Sequence, residues 1–372
     1  MKLIVLRENL KDGLDCVYRS ISESNNLPIL KSFILETLSN NRIKLSSTNL
    51  EMGINKIFGG KIIEDGRLAI PFSTFNNIVS NLDSERINLE TEGNNLMIKT
   101  DNYQAKIQVM NYDDYPIIPK ISSNKNFIEI NSSILKESLI KVSEAAQFST
   151  IRPELSGVLF DFQLTILKLA ATDSFRLAEK VLFDKSFKNT LESGFRVIVP
   201  LKTINEVIRS FGDNKMASIF IDDNQILFKT QDHEIISRLI DGQYPDYESI
   251  IPKTFESELF LEKEKLVNSI KLVSSFSSRS GEIKLKIREN TKLLEIYSAD
   301  QYVGENNYLI PTKLTGKEFK EVVFNSKYVL EGIKSINSKE IFFGFNGDSR
   351  PALVRNIQKD DFQYIIMPVK NA

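Results

Sequence analysis

Ala171-Thr172-Asp173-Ser174-Phe175-Arg176-Leu177 is a phrase that this chain writes three times. Ser47-Thr48-Asn49-Leu50-Glu51 precedes it, and Ser298-Ala299-Asp300-Gln301-Tyr302 follows it. With Thr48, Thr172 and Ala299 aligned, the offsets are 124 and 127 residues. A second phrase, strand then turn then amphipathic helix, reads Leu68-Ala69-Ile70-Pro71-Phe72, Val197-Ile198-Val199-Pro200-Leu201 and Val322-Val323-Phe324-Asn325-Ser326. From Pro71 to Pro200 to Asn325 its offsets are 129 and 125. A third phrase closes each copy, as Tyr115-Pro116, Tyr244-Pro245 and Met367-Pro368, offset by 129 and 123. Three landmarks in one order at nearly one spacing are an internal repeat of three units.

A chain of 372 residues exceeds what one core usually serves, and units of this size are ordinary domains. No run of 18 apolar residues occurs, so no membrane span is expected. The N-terminus Met1-Lys2-Leu3-Ile4-Val5-Leu6-Arg7 is too short and too soon charged for a signal peptide. Cys16 is the only cysteine, which excludes an intrachain disulfide and a cysteine-based zinc site and fits a reducing cytoplasm. His233 is the only histidine and stands on an alternating stretch, where an exposed or half-buried strand histidine is expected. The phosphate-loop, dinucleotide, zincin and nucleophile-elbow motifs are all missing.

Each unit opens with a strand and a helix. Leu3-Ile4-Val5 precedes the apolar positions Leu6, Leu10, Leu14, Val17 and Ile21 at helical spacing. Phe127 to Ile130 precedes the helix-start signal Asn131-Ser132-Ser133 and the stripe Leu135, Leu139, Val142, Ala146. Leu259-Phe260-Leu261 precedes Leu266, Ile270, Val273 and Phe276. Paired strands follow, then a second helix after each proline or asparagine landmark (72–82, 201–211 and 326–336), then three more strands. Each unit is therefore two amphipathic helices on one face of an antiparallel sheet, an α+β architecture with units 1–121, 122–253 and 254–372. Strand-rich repeats leave open edges at the chain ends, so self-association is expected.

The motifs Leu27-Pro28-Ile29-Leu30, Thr48 to Glu51, Arg152 to Val158, Ala171 to Ala178, Asp241 to Tyr247 and Tyr364 to Val369 resemble those of the bacterial beta sliding clamp family, over essentially the whole chain. Such a resemblance implies a non-catalytic processivity subunit of the replicative DNA polymerase. It implies three clamp domains per chain and a head-to-tail homodimer, a six-domain ring around duplex DNA. Implied partners are the polymerase alpha subunit, the clamp loader, and other polymerases and repair proteins carrying clamp-binding peptides. No cofactor and no metal are expected.

The resemblance also implies sites. A groove for partner peptides falls on Leu155, Thr172, Ser174, Phe175, Arg176, Leu177, Pro245, Ile250, Ile365, Met367, Pro368 and Val369, with Arg176 orienting a polar peptide group. Many relatives carry Gly-His where Ser174-Phe175 stands, which makes this rim more apolar. The six predicted helices carry thirteen basic against ten acidic side chains in a chain of net charge −1. Arg7, Lys11, Lys141, Lys202 and Arg209 are the phosphate-facing candidates, without base readout. Ser24-Asn25-Asn26 stands where many relatives have a basic residue. Ile107, on the edge strand 103–109, and Phe276 are the candidates for the dimer contact.

Two rival readings compete. Asp113-Asp114, Asp222-Asp223 and Asp241 with Asp246 are the carboxylates an Mg²⁺-dependent nuclease would use, but Asp222-Asp223-Asn224-Gln225 reads as a hairpin turn. The other alternative is a clamp-fold protein-interaction scaffold that does not encircle DNA.

Overall fold

A computed structural model of the chain describes residues 1–22, 26–118, 120–121, 127–277, 280–288, 292–358 and 361–369. Six helices carry the periodic stripes: α1 (Arg7–Val17), α2 (Phe72–Asn81), α3 (Ser132–Ser143), α4 (Leu201–Ser210), α5 (Lys263–Val273) and α6 (Ser326–Lys334). Leu10, Leu14 and Val17 of α1 and Leu266, Ile270 and Val273 of α5 are buried. The predicted ends shrink. Leu6 belongs to the first strand and is exposed, and α1 stops at Val17, whose carbonyl is taken by the Ser47 hydroxyl at 2.6 Å. Phe276 lies past α5 in a tighter turn, Ser274–Phe276. At the head of α6 the Asn325 side chain accepts from the Lys327 amide at 3.0 Å, a cap that a proline supplies only by its fixed φ.

The repeat is visible in strand register. Ser32 pairs with Pro71, Gly157 with Pro200, and Glu282 with Asn325, so each proline or asparagine landmark meets the same point of its unit. Every ladder among these sheets is antiparallel. One nine-stranded sheet runs Phe187–Asn189, Phe127–Asn131, Met216–Ile221, Gln225–Lys229, His233–Arg238, Met52–Gly59, Arg42–Thr48, Ser32–Leu38, Arg67–Pro71. The other runs Phe195–Pro200, Gly157–Phe162, Ile166–Thr172, Arg176–Phe183, Phe362–Ile366, Ala352–Asn356, Glu340–Phe345, Ser257–Glu262, Lys313–Gly316.

Both large sheets cross a repeat boundary by one rule. The strand after the Thr-bearing turn of one repeat pairs with the last strand of the next: Met52–Gly59 with His233–Arg238, and Arg176–Phe183 with Phe362–Ile366. The two seam strands following the turns are absent from the sequence reading. Contacts consequently divide the chain inside the central repeat. One compact unit is Met1–Lys136 with Lys185–Glu192 and Lys202–Leu239, and the second is Glu137–Asp184 with Ser193–Leu201 and Ile240–Ala372.

The first and third repeats each leave a smaller sheet. The first unit holds five strands ending on the open edge Gln104–Gln108, and the second unit holds four ending on the open edge Gly304–Pro311. Among the described residues no helix is long and apolar enough to cross a membrane.

His233 lies on a strand as expected, but it is 3% exposed, packed on Phe211 with ring centroids 5.8 Å apart. Burial, with Lys56 adding repulsion, pushes the imidazole down to about 4, against roughly 6.5 in an unfolded chain. The folded state thus holds the neutral ring. Stability is complete above pH 6.5 and declines as the pH falls toward 4. Urea unfolding is expected to show a loss of about 2 kcal/mol between pH 7 and pH 5, and His233→Leu should remove it. Burial pushes neighbouring Asp232 up, but hydrogen bonds from Lys56 and Lys215 hold it at about 2, so its own loss lies below this window.

Candidate functional site

The turn at Thr172 decides which side chains of the second unit face outward. Thr172 Oγ1 donates to the Arg176 carbonyl at 2.6 Å and accepts from the Ser174 amide at 3.1 Å. Asp173 Oδ1 accepts from the amides of Phe175 and Arg176 at 2.9 and 3.0 Å, an Asx turn. Ser174 is forced into the left-handed region, φ 78°, and receives Arg152 Nη1 on its hydroxyl at 3.2 Å. Phe175 is consequently thrown outward, 61% exposed, while Arg176 turns in, 8% exposed.

Arg176 is therefore engaged behind the turn. Its guanidinium donates to Asp173 Oδ2 at 2.9 Å and to the Glu331 carboxylate, and sits 4.4 Å over the Tyr328 ring. A buried charge is tolerable only with such partners, so Arg176 braces the turn from behind.

Leu155, Leu177 and Ile365 come together as the buried floor, with Leu159, Ile198, Tyr244, Tyr247 and Leu353. Leu177 and Ile365 face each other in register. Pro245 and Met367 are half-buried and Ile250 is exposed. The Met367 amide donates to the Phe175 carbonyl at 2.8 Å, and the Val369 amide to the Val323 carbonyl at 2.8 Å, which holds buried Pro368 between them. Of the predicted groove residues, Leu155, Leu177 and Ile365 thus share one apolar floor, and Met367 is joined to Phe175 through the backbone. Such a surface suits an extended peptide with aliphatic or aromatic side chains.

Two residues of the floor were given no role in the sequence. Tyr247 donates to Glu179 Oε2 at 2.7 Å, and Gln363 donates to Glu179 Oε1 at 2.7 Å, so the buried carboxylate is satisfied on both oxygens. Burial first, and Glu179 second, push the Tyr247 hydroxyl up, keeping it a donor. Tyr244 stacks edge-on against it at 6.3 Å. Two tyrosines three apart in a Pro-bearing segment are the signal that marks them.

The cationic candidates divide. Lys11, Lys202 and Arg209 are exposed on α1 and α4, and Arg7 is half-buried at the start of α1. Arg209 Nη1 lies 3.7 Å from Glu206 Oε2. Lys141 is not phosphate-facing. It is 9% exposed, bonded to Glu137 at 2.8 Å, with its ammonium 5.7 Å from the Phe362 ring centroid. Ser24-Asn25, Arg279 and Lys370-Asn371-Ala372 lie outside the described residues.

Ile107 also needs correction. It is 7% exposed and opposes Leu96, so it belongs to its own sheet's core and the other face of that edge is outward. Phe276 is half-buried close to Gly304, where the open edge of the four-stranded sheet begins. Leu272, Tyr302, Val303 and Tyr308, unmarked in the sequence reading, are exposed apolar side chains on or beside that edge. Asp222 Oδ1 accepts from the Asn224 and Gln225 amides at 3.1 and 2.8 Å, which makes the pair a hairpin turn.

Family models for the DNA polymerase III beta subunit match three consecutive stretches: the N-terminal domain at 1–119, the central domain at 129–246 and the C-terminal domain at 248–370. A beta sliding clamp from Streptococcus pneumoniae is 29% identical, covering 96% of each chain. One from Synechococcus elongatus is 25% identical over all of this chain and 99% of the relative. Among solved structures, the DNA polymerase sliding clamp of Bacillus subtilis superposes at a TM-score of 0.94 and 24% identity, covering both chains fully. The DNA polymerase III beta subunit of Thermotoga maritima gives 0.88 at 25% identity, also over both full chains.

Tyr247→Phe leaves one oxygen of buried Glu179 without its donor and is expected to cost about 1–3 kcal/mol. Chemical denaturation measures this, and Glu179→Gln in the same background should not add a comparable loss.

Proposed function

The chain belongs to the DNA polymerase III beta-subunit family and is a DNA sliding clamp, and on that premise we propose how it works: two copies close head to tail around duplex DNA. The observation that supports closure is the pair of unmatched sheet edges. Within the chain, the strand after the turn of one repeat always pairs with the last strand of the following repeat. Among the described residues, Gly304–Pro311 of the third repeat and Gln104–Gln108 of the first are left without such a partner strand. Joined between two copies, these edges would make nine strands, the number in each internal sheet. The contact is heterologous, so it closes only if the rotations sum correctly.

Inside such a ring Lys11, Lys202 and Arg209, with Arg7, would meet phosphates loosely and without reading bases. Retention would come from topology, and weak contacts keep sliding fast. The groove at Leu177, Ile365 and Met367 would take peptides from the polymerase alpha subunit, the clamp loader, and other polymerases and repair proteins. The protein would thus tether enzymes to their template in the cytoplasm while catalysing nothing itself. The repeat boundaries 1–121, 122–253 and 254–372 belong to the same proposal.

Loaded on nicked circular DNA, the protein is expected to co-elute with the circle and to be released when the circle is linearised. Equal retention on linear DNA with free ends overturns encirclement. The double variant Leu272→Asp/Tyr308→Asp should sediment with half the mass of wild type at low micromolar concentration. For the groove, Met367→Ala should weaken binding of a labelled Gln-Leu-x-Leu-Phe-type peptide about tenfold, since roughly 1–2 kcal/mol of apolar contact is removed; unchanged anisotropy curves would place the peptide elsewhere.

A further inference from the structure

Both seams inside the chain are fastened by the same ion pair. Lys56 Nζ lies 2.6 Å from Asp232 Oδ2 in the first unit, and Lys180 Nζ lies 2.7 Å from Asp361 Oδ2 in the second. Each lysine opposes the first residue of its partner strand, His233 or Phe362, and the aspartate stands immediately before that residue. The lysines are 124 residues apart, as Thr48 and Thr172 are, so the clasp is a repeated feature. Both lysines are largely withdrawn from solvent, with side chains 19% and 10% exposed.

Sheet register identifies the same places on the two open edges. Gly157 meets Pro200 as Glu282 meets Asn325. From there Leu159 leads to Ala170 and Lys284 to Tyr297, and two residues on, Thr172 opposes Leu177 as Ala299 opposes Glu305. Lys180, three residues past Leu177, therefore corresponds to Tyr308, three past Glu305. On the other edge, Leu3, Ile128 and Leu259 each stand four residues before the start of a helix. The ladders carry them through Leu89, Ile98 and Ala105, through Ile219, Phe228 and Ile235, and through Phe343, Val354 and Tyr364. Tyr103 is therefore the counterpart of His233 and Phe362, and Asn102 that of the two aspartates. Where the internal seams hold lysine and aspartate, the open edges hold a tyrosine, 43% exposed, and an exposed asparagine.

We propose that the seam between two copies takes the register of the internal seams and is the one built without their clasp. Tyr103 of one copy then meets the partner's Tyr308, an aromatic pair in place of the ion pair, and Lys106 faces the partner's Glu305. Lys106 and Glu305 are both exposed. Their faces agree: Lys106 alternates with buried Ile107, and Glu305 with Asn306, whose side chain donates to the Leu272 carbonyl of α5 at 3.2 Å. A slip of one residue would set the two charges on opposite faces. A slip of two would leave Lys106 against Asn307 or Val303, without its charge partner. The inference rests on the reading of the two edges as a head-to-tail contact, and adds which residues meet there and which fastening is left out.

Disulfide trapping of the full chain tests the register. In a Cys16→Ser background, Gln104→Cys/Asn307→Cys, directly opposite in this register, should give a covalent dimer on oxidation. Gln104→Cys/Glu305→Cys, displaced by two residues, should not. A dimer trapped by the displaced pair, or by neither, overturns the register while the head-to-tail reading stands. Sedimentation equilibrium over a dilution series tests the clasp. Asn102→Asp should lower the dissociation constant only in a Tyr308→Lys background, about fivefold per seam and roughly 25-fold for a ring with two. An equal effect of Asn102→Asp with and without Tyr308→Lys means that no clasp can form there, and overturns the proposal. Lys106→Glu should loosen the dimer, and adding Glu305→Lys should restore it; failure of that rescue also counts against the register. A chain that is monomeric throughout and is trapped by neither pair overturns the head-to-tail reading and this proposal with it.

Discussion

Everything in this fold depends on a short antiparallel ladder laid between one repeat and the next. Five residue pairs join Met52–Lys56 to His233–Ser237, and five join Arg176–Lys180 to Phe362–Ile366. A backbone hydrogen bond of this kind contributes only about 0.5–1.5 kcal/mol net, yet an unmade one in a buried sheet costs more than it would have given. The central strand of each large sheet is therefore supplied across a repeat boundary, and no repeat completes its sheet alone. That is why compactness follows seams and cuts through the central repeat.

The turn that feeds each ladder has a second effect. Its threonine hydroxyl and Asx carboxyl or amide satisfy the backbone locally, so the chain can reverse with a non-glycine residue in the left-handed region. Reversal fixes parity. One residue past the left-handed position is displayed and the next is buried, which exposes Phe175 and hides Arg176. A binding rim and its structural brace are thus neighbours in sequence, and what separates their roles is backbone geometry more than residue type.

Much of this was legible from spacing, because repeated landmarks fall on repeated register: Pro71, Pro200 and Asn325 each meet the opening of their paired strand. What escaped depends on contacts far apart in the chain. Lys141 reads as a solvated helix cation until Phe362 and Glu137 enclose it. Arg176 reads as a rim residue because Glu331 and Tyr328 arrive from 150 or so residues away. The seam strand Arg176–Phe183 hides behind its own polarity, since Arg176, Glu179 and Lys180 are all buried but each is paired. His233 was hidden similarly, by Phe211 from a preceding helix end. Composition alone cannot distinguish a buried, partnered charge from a hydrated one.

The unmatched edges carry a consequence for dilution. Each internal seam joins repeats of one polypeptide, so its two strands meet at an effective concentration fixed by the connecting chain and indifferent to how much protein is present. A seam between copies has no such tether. Its occupancy would follow mass action, and in the proposed ring a single broken contact would leave the other to hold the partner nearby. Opening of such a ring would thereby be confined to particular places without any hinge having to be built. A machine that parts the ring would work against the seams where chain connectivity lends no help, and would find them by being the only ones that can come apart without unfolding a domain.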